Sequence, residues 1–218
     1  MMNQADLPDT IAVFPLPGAI LLPRTRLPLH IFEPRYLAMI EDCLKSDRRM
    51  IGMIQPRTGP GAAPGPVPAL AAVGCAGRIT SFSETDDGRY MITLTGIARF
   101  RVVGELNGFV PYRRCTPDWT PYGFDLKGAA PDAAFPREAF LEKLSRYFKV
   151  RNLGVDWSTL KEAEDELLVN ALAMLCPFAP EEKQALLEAS DLAERRRVLE
   201  TLIAFAMQAG GAADEVLQ

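Results

Sequence analysis

The hydrophobic period of this sequence changes partway along the chain. Up to about residue 118 the apolar residues come in short runs broken by proline and glycine. From Pro136 onward they recur every three or four residues. The first pattern builds strands, whose side chains alternate between two faces; the second builds helices with one apolar stripe. A chain with both, one after the other, is α+β with its strands and helices segregated.

The first half resolves into candidate elements. IAVFPL (11–16), RLPLHIF (26–32) and MIGMIQ (50–55) read as strands. PRYLAMIEDCL opens on Pro34, a residue well tolerated at the first helical position, and sets Leu37, Ile40 and Leu44 on one face, so it predicts a helix. VGCAGRITSFSET and RYMITLTGIARFRVVGEL are joined by Asp86-Asp87-Gly88, a strong hairpin signal. Alternation puts Ala98, Phe100 and Val102 on one face and Arg99 and Arg101 on the other. FVPYRRCTPDW supplies a last strand. Six or seven short strands with one early helix predict a small β-barrel or closed sheet. Pro56–Pro68 holds five prolines and three glycines in thirteen residues, which predicts a surface loop.

In the second half Pro136 opens a helix carrying Phe140, Leu144 and Phe148. Leu160, Ala163, Leu167, Ala171 and Met174 predict a second helix. Pro180-Glu181-Glu182 opens a third, and Asp191 with Glu194 resembles a capping box for a fourth, carrying Leu199, Leu202, Ile203 and Ala206. The tail after Gln208 is expected to fray. The expected domains are a strand domain over 1–118 and a helical bundle over 119–218.

Charge and motif counts remove several functions. Lys and Arg number 13 against 11 Asp and Glu up to residue 118, and 11 against 17 beyond it, so the helical half is acidic and the chain has no basic excess for nucleic acid. There is no Gly-Lys pair, hence no P-loop, no G-x-G-x-x-G after a strand and no G-x-S-x-G elbow. The one histidine, His30, rules out any site that needs two. Cys43, Cys75, Cys115 and Cys176 lie 32, 40 and 61 residues apart, without metal-ligand spacing. They are expected to be buried, reduced and structural rather than nucleophilic. The start, MMNQADLPDT, lacks a signal-peptide pattern, and the longest uncharged run, 58–77, is broken by prolines and cannot be a membrane helix. The expectation is a cytoplasmic protein without metal, cofactor, membrane or nucleic-acid partner. Arg99 and Arg101 are expected to pair with carboxylates of a packed neighbour, the acidic helical half being the nearest source. Arg195-Arg196-Arg197 is expected to be a solvated helix surface, because consecutive helical residues point in different directions.

FPLPGAILLPRTRLPLHIFEPRYLAMIEDCL, then VGCAGRI, then LTGIARFRV, resembles the N-terminal substrate-binding domain of Lon proteases, and more closely the stand-alone proteins built from that domain. PEEKQALLEASDLAERRRVLETLI is similar to the helical segment that follows it. The resemblance implies a PUA-like β-barrel with one early helix, followed by a C-terminal helical bundle. It implies a non-enzymatic role in recognising unfolded or extended polypeptide, or a protein partner. No catalytic residue carries over, because Lon's ATPase and protease motifs are absent here. A PUA-like nucleic-acid-binding protein and an adaptor for another assembly are the alternatives. Contact candidates are His30, Phe32, Arg35 and Tyr36, where the second strand enters the first helix. Against this, His30 in its apolar strand reads as a satisfied structural histidine, Phe32 and Tyr36 as core, and Arg35 as the partner of an acidic neighbour.

Overall fold

The computed structural model describes residues 3–57, 68–128 and 132–215. It is a mixed α+β structure of six strands and several helices, dividing into two compact units, Met1–Gly128 and Ala129–Gln218. The first unit therefore runs past Asp118 and includes a 3-10 segment, Thr120–Lys127.

The first unit holds β1 (Ile11–Pro15), β2 (Arg26–Ile31), α1 (Pro34–Lys45), β3 (Met50–Ile54), β4 (Val73–Glu84), β5 (Tyr90–Leu106) and β6 (Arg113–Asp118). The sheet order is β2-β5-β4-β3-β1-β6, and β5 also pairs with β6. The pairing of β5 with β6 brings the order β5-β4-β3-β1-β6 back to its start. The length of β5 allows this: its first residues pair with β2 and its last with β6. The β4–β5 turn is the expected one, with Gly88 at φ +75 and its N–H donating to the Thr85 carbonyl at 2.9 Å. Of the Pro56–Pro68 loop, residues 58–67 lie outside the described residues; at its ends Pro56 bridges Leu70.

One core of this unit gathers Val13, Met50, Ile54, Ala76, Ala98, Phe100 and Cys115 beneath Trp119. The Phe100 ring occupies the space beside Gly52 and Gly74, where an added Cβ would meet it at 2.8 Å. Its edge meets Trp119 at a centroid distance of 5.4 Å, a favourable aromatic geometry. On the alternate face, Leu29, Ile31, Ile79, Ile92 and Leu94 are buried. α1 is tied by Tyr36 on Phe14 at 4.3 Å and by the Tyr90 and Tyr112 hydroxyls, which donate to Glu41 and Asp42 at 3.1 and 2.8 Å.

Alternation on β5 holds as read: Ala98 and Phe100 point into the core, and Arg99 points the other way. Arg99 is nevertheless 1% exposed, because the 120–127 segment covers it. Its Nε and Nη2 donate to the two oxygens of Asp125, each at 3.0 Å, and its backbone N–H donates to Oδ2 at 2.9 Å. Tyr122 lies 4.4 Å from the guanidinium. The acidic partner expected for Arg99 from residues 119–218 is thus Asp125, although the segment that carries it folds with the strand unit; Arg101 is exposed.

The second unit holds α2 (Arg137–Val150), α3 (Trp157–Glu162), α4 (Asp165–Leu175), α5 (Pro180–Glu188) and α6 (Leu192–Glu215). α6 packs against α2, α4 and α5. Phe140, Leu144, Leu199 and Ile203 are buried as the spacing predicts. The single helix expected through Leu160–Met174 is two. Ala163 and Glu164 are extended, at ψ 141 and 151. Arg137 explains the break: its Nη2 donates to the carbonyls of Lys161 and Ala163 at 3.0 and 2.6 Å, groups a helix end would leave bare, and its Nη1 pairs with Asp165. The buried apolar positions of α4 are therefore Leu168, Val169, Leu172 and Ala173, while Leu167 is half-exposed.

The Arg195–Arg197 run also departs from expectation. Arg195 and Arg196 are buried and only Arg197 is exposed. Arg195 donates to the Leu186 carbonyl and to Asn170 Oδ1, and Arg196 pairs with Asp132 and Glu200, both at 2.7 Å. Helical spread points one arginine outward, and fixed acceptors pull the other two inward. Asp191 caps α6 through the Glu194 N–H at 2.8 Å, but the Glu194 side chain reaches the Ser190 N–H instead of closing a box. α6 continues through the tail that was expected to fray.

Candidate functional site

The strands β2, β5 and β4 pair side by side, and their register defines two faces. Residues paired across strands lie on the same side of a sheet. Leu29 pairs with Ile92, and Ile92 with Phe82; Leu94 pairs with Ile79. On that side Leu29, Ile79, Ile92 and Leu94 are buried, while Phe82, nearer the hairpin, is 41% exposed. The opposite side carries three rows: Arg26–Thr95–Arg78, Pro28–Thr93–Ser81 and His30–Met91–Ser83. A bulge between Ile79 and Ser81 turns Thr80 to this side too, where its hydroxyl lies 3.0 Å from that of Thr95.

This face is uncovered. Phe32 is 60% exposed and Met91 43%, and His30 and Arg26 are exposed beside them. The His30 and Phe32 rings meet edge-on at 6.0 Å. A strand face covered on one side and open on the other, with an aromatic, a methionine and a histidine outward, is a flat surface able to take apolar contact. Its nine row positions include no carboxylate. The nearby Glu33 carboxylate is held by Arg35 at 2.7 Å.

The four contact candidates fall into two pairs. His30 and Phe32 sit together on the open face, so His30 is not the satisfied strand histidine its apolar run suggests. Tyr36 is buried on Phe14, and its ring carries the Arg35 guanidinium at 4.5 Å. Burial, opposed by Arg35, raises the Tyr36 pKa. The residues that sequence reasoning missed are Arg26, Arg78 and Met91. Hairpin register alone would have aligned Met91 with Ser83, but it could not bring β2 beside them.

Chemistry elsewhere is sparse. All four cysteines are free and buried. Burial pushes the Cys43 and Cys115 thiols up to about 12 and Cys176 up to about 11, so none of these three is poised as a thiolate. Among the described residues no group of His, Cys, Asp and Glu could hold a metal ion, and no helix is long and apolar enough to cross a membrane.

Residues 10–204 match the ATP-dependent protease La (LON) substrate-binding domain. Lon protease 2 of Myxococcus xanthus is 27% identical over 214 residues, covering 93% of this chain and 24% of that protein. Lon protease 2 of Sorangium cellulosum is 27% identical over 202 residues, covering 89% and 24%. The chain thus spans about a quarter of the length of these relatives. The crystal structure of a Lon N-terminal domain protein from Xanthomonas campestris matches with TM-score 0.56 at 25% identity, over 89% of this chain and 97% of that one. The N-terminal domain of a Mycobacterium avium complex Lon protease shares the fold, with TM-score 0.58 at 15% identity over 89% and 98%. With the match running through both units of the structure, the chain belongs to the Lon substrate-binding domain family.

Proposed function

We propose that this protein is a non-catalytic module that recognises unfolded or extended polypeptide, and that the open face of β2, β5 and β4 is its contact surface. The carrying observation is that Phe32 and Met91 stand exposed on a three-stranded face whose other side buries Leu29, Ile79, Ile92 and Leu94. An extended segment laid on such a face gains apolar contact from exposed side chains that the fold already holds in place. His30 and Phe32 are the contact residues; Arg35 and Tyr36 hold the start of α1 behind them. Family membership supports the reading, as do the buried, unactivated thiols. In this reading the strands β5-β4-β3-β1-β6 form a PUA-like barrel, the second unit is a helical bundle, and the protein works in a reducing cytoplasm.

The test is a fluorescence-anisotropy titration of a labelled unfolded polypeptide, with a folded protein and a structured RNA beside it. Saturable binding to the unfolded chain alone is expected, weakened about tenfold in the double variant Phe32→Ala, Met91→Ala, a loss of about 1.4 kcal/mol. Equal binding by wild type and variant removes the site. Binding to RNA alone removes the reading.

A further inference from the structure

The open face carries more than apolar side chains. Its first row sets Arg26 and Arg78 on either side of Thr95. Among the described residues neither arginine has an ion-pair partner, and the Arg78 Nε is buried without a hydrogen bond. Four arginines elsewhere are held by carboxylates: Arg99 by Asp125, Arg113 by Glu105, Arg137 by Asp165, and Arg196 by Asp132 and Glu200. Two guanidiniums left unpaired in one row, on a face with no carboxylate, complement an anion supplied from outside.

Spacing then specifies the anion's companion. Arg26 and His30 are four residues apart on one strand, about 13 Å at the rise of an extended chain. An extended ligand running along the strands rises by the same amount per residue. We infer that, on the polypeptide-recognition reading above, this face selects extended segments carrying an acidic residue four positions from an apolar one, the carboxylate on the Arg26–Arg78 row and the apolar side chain on His30, Phe32 and Met91. Backbone spacing and charge complementarity both fit this pairing, and either group alone leaves half of the face unused.

Ten-residue peptides in a neutral Gly/Ser/Gln background test it, read by anisotropy with the whole protein. One carries Glu and Phe four apart, one Phe alone, one Lys and Phe four apart. The Glu–Phe peptide is expected to bind at least tenfold tighter than Phe alone, with the advantage shrinking as salt rises. Arg26→Glu, at an exposed position, is expected to abolish the advantage of the Glu–Phe peptide over Phe alone. Equal binding of all three peptides, still lost in the Phe32→Ala, Met91→Ala variant, overturns the acidic preference and leaves polypeptide recognition standing. Binding of none overturns both. Displacement of the Glu–Phe peptide by an unstructured RNA oligonucleotide at lower concentration overturns the inference in favour of a phosphate ligand.

Discussion

β5 passes through two regions that use the same residue types to different ends. In its middle, Arg99 is covered by the 120–127 segment, held in a two-pronged pair with Asp125 and flanked by Tyr122. Near its start the strand lies between β2 and β4, with Arg26 and Arg78 on its open side unpaired. The first region shows a cation consumed by folding: charge, hydrogen bonds and ring face are all met inside the unit. The second shows cations that folding leaves unused. A deeply buried guanidinium such as that of Arg99 needs a partner because its desolvation is costly, whereas that of Arg26, exposed, stays in water.

The largest effect that would break this contrast is at the covered end. Arg99→Ala leaves Asp125 buried and uncompensated, and is expected to lower the unfolding free energy by about 3–5 kcal/mol. Urea titration of that variant beside Asp125→Ala reads it; a change as small as a surface substitution would show that the pair does not hold the segment. Gly96, between the two regions, comes next. An added Cβ would lie 2.0 Å from the Leu22 carbonyl oxygen. Gly96→Ala is therefore expected to cost about 3 kcal/mol, since backbone rather than a flexible side chain must move. A wild-type urea midpoint would mean that the Leu22 loop yields freely.

Arg137 is an intermediate case, partly exposed yet bonded to helix-end carbonyls. Arg137→Ala is expected to cost about 1–2 kcal/mol and to reduce amide protection in 157–175 ahead of α6, by hydrogen exchange. Uniform loss of protection throughout the second unit would deny it a local role. Burial raises the thiols of Cys43 and Cys115 from 9.0 to about 12. An acid whose folded pKa is raised contributes stability that is fully present below the unfolded value and lost above it. Urea stability is therefore expected to fall as pH rises from 9 toward 12, with slow thiol labelling of native protein at pH 7. Rapid labelling of either cysteine at pH 7 would contradict its burial. The smallest effect is at the open end: Arg26→Ala is expected to change stability by less than about 0.5 kcal/mol. A larger loss would mean that Arg26 already has a structural partner, erasing the contrast.

Legibility in the sequence followed locality. α1, the Gly88 turn and the alternation through Ala98 and Phe100 were all readable, because each depends on neighbours a few residues away. The open face was half readable. His30 and Phe32 were marked, but Met91 and the arginines join them only through the pairing of β2 with β5, more than sixty residues distant in the chain. The α3–α4 break was hidden for the same reason: the apolar period continues through Ala163, and the guanidinium that stabilises the interruption belongs to α2. Arg195 and Arg196 looked solvated because their acceptors, Asn170, Leu186 and Asp132, belong to other segments.

The sequence by itself determined the class, the order of strands before helices, and the family, since hydrophobic period, turn residues and ordered motifs are written along the chain. Only the tertiary structure decided which arginines are spent and which are free. Alternation states which face a side chain takes, but not what covers that face. Cover is a matter of chain segments meeting in space, and at Arg99 and Arg26 it separates a structural cation from an exposed one.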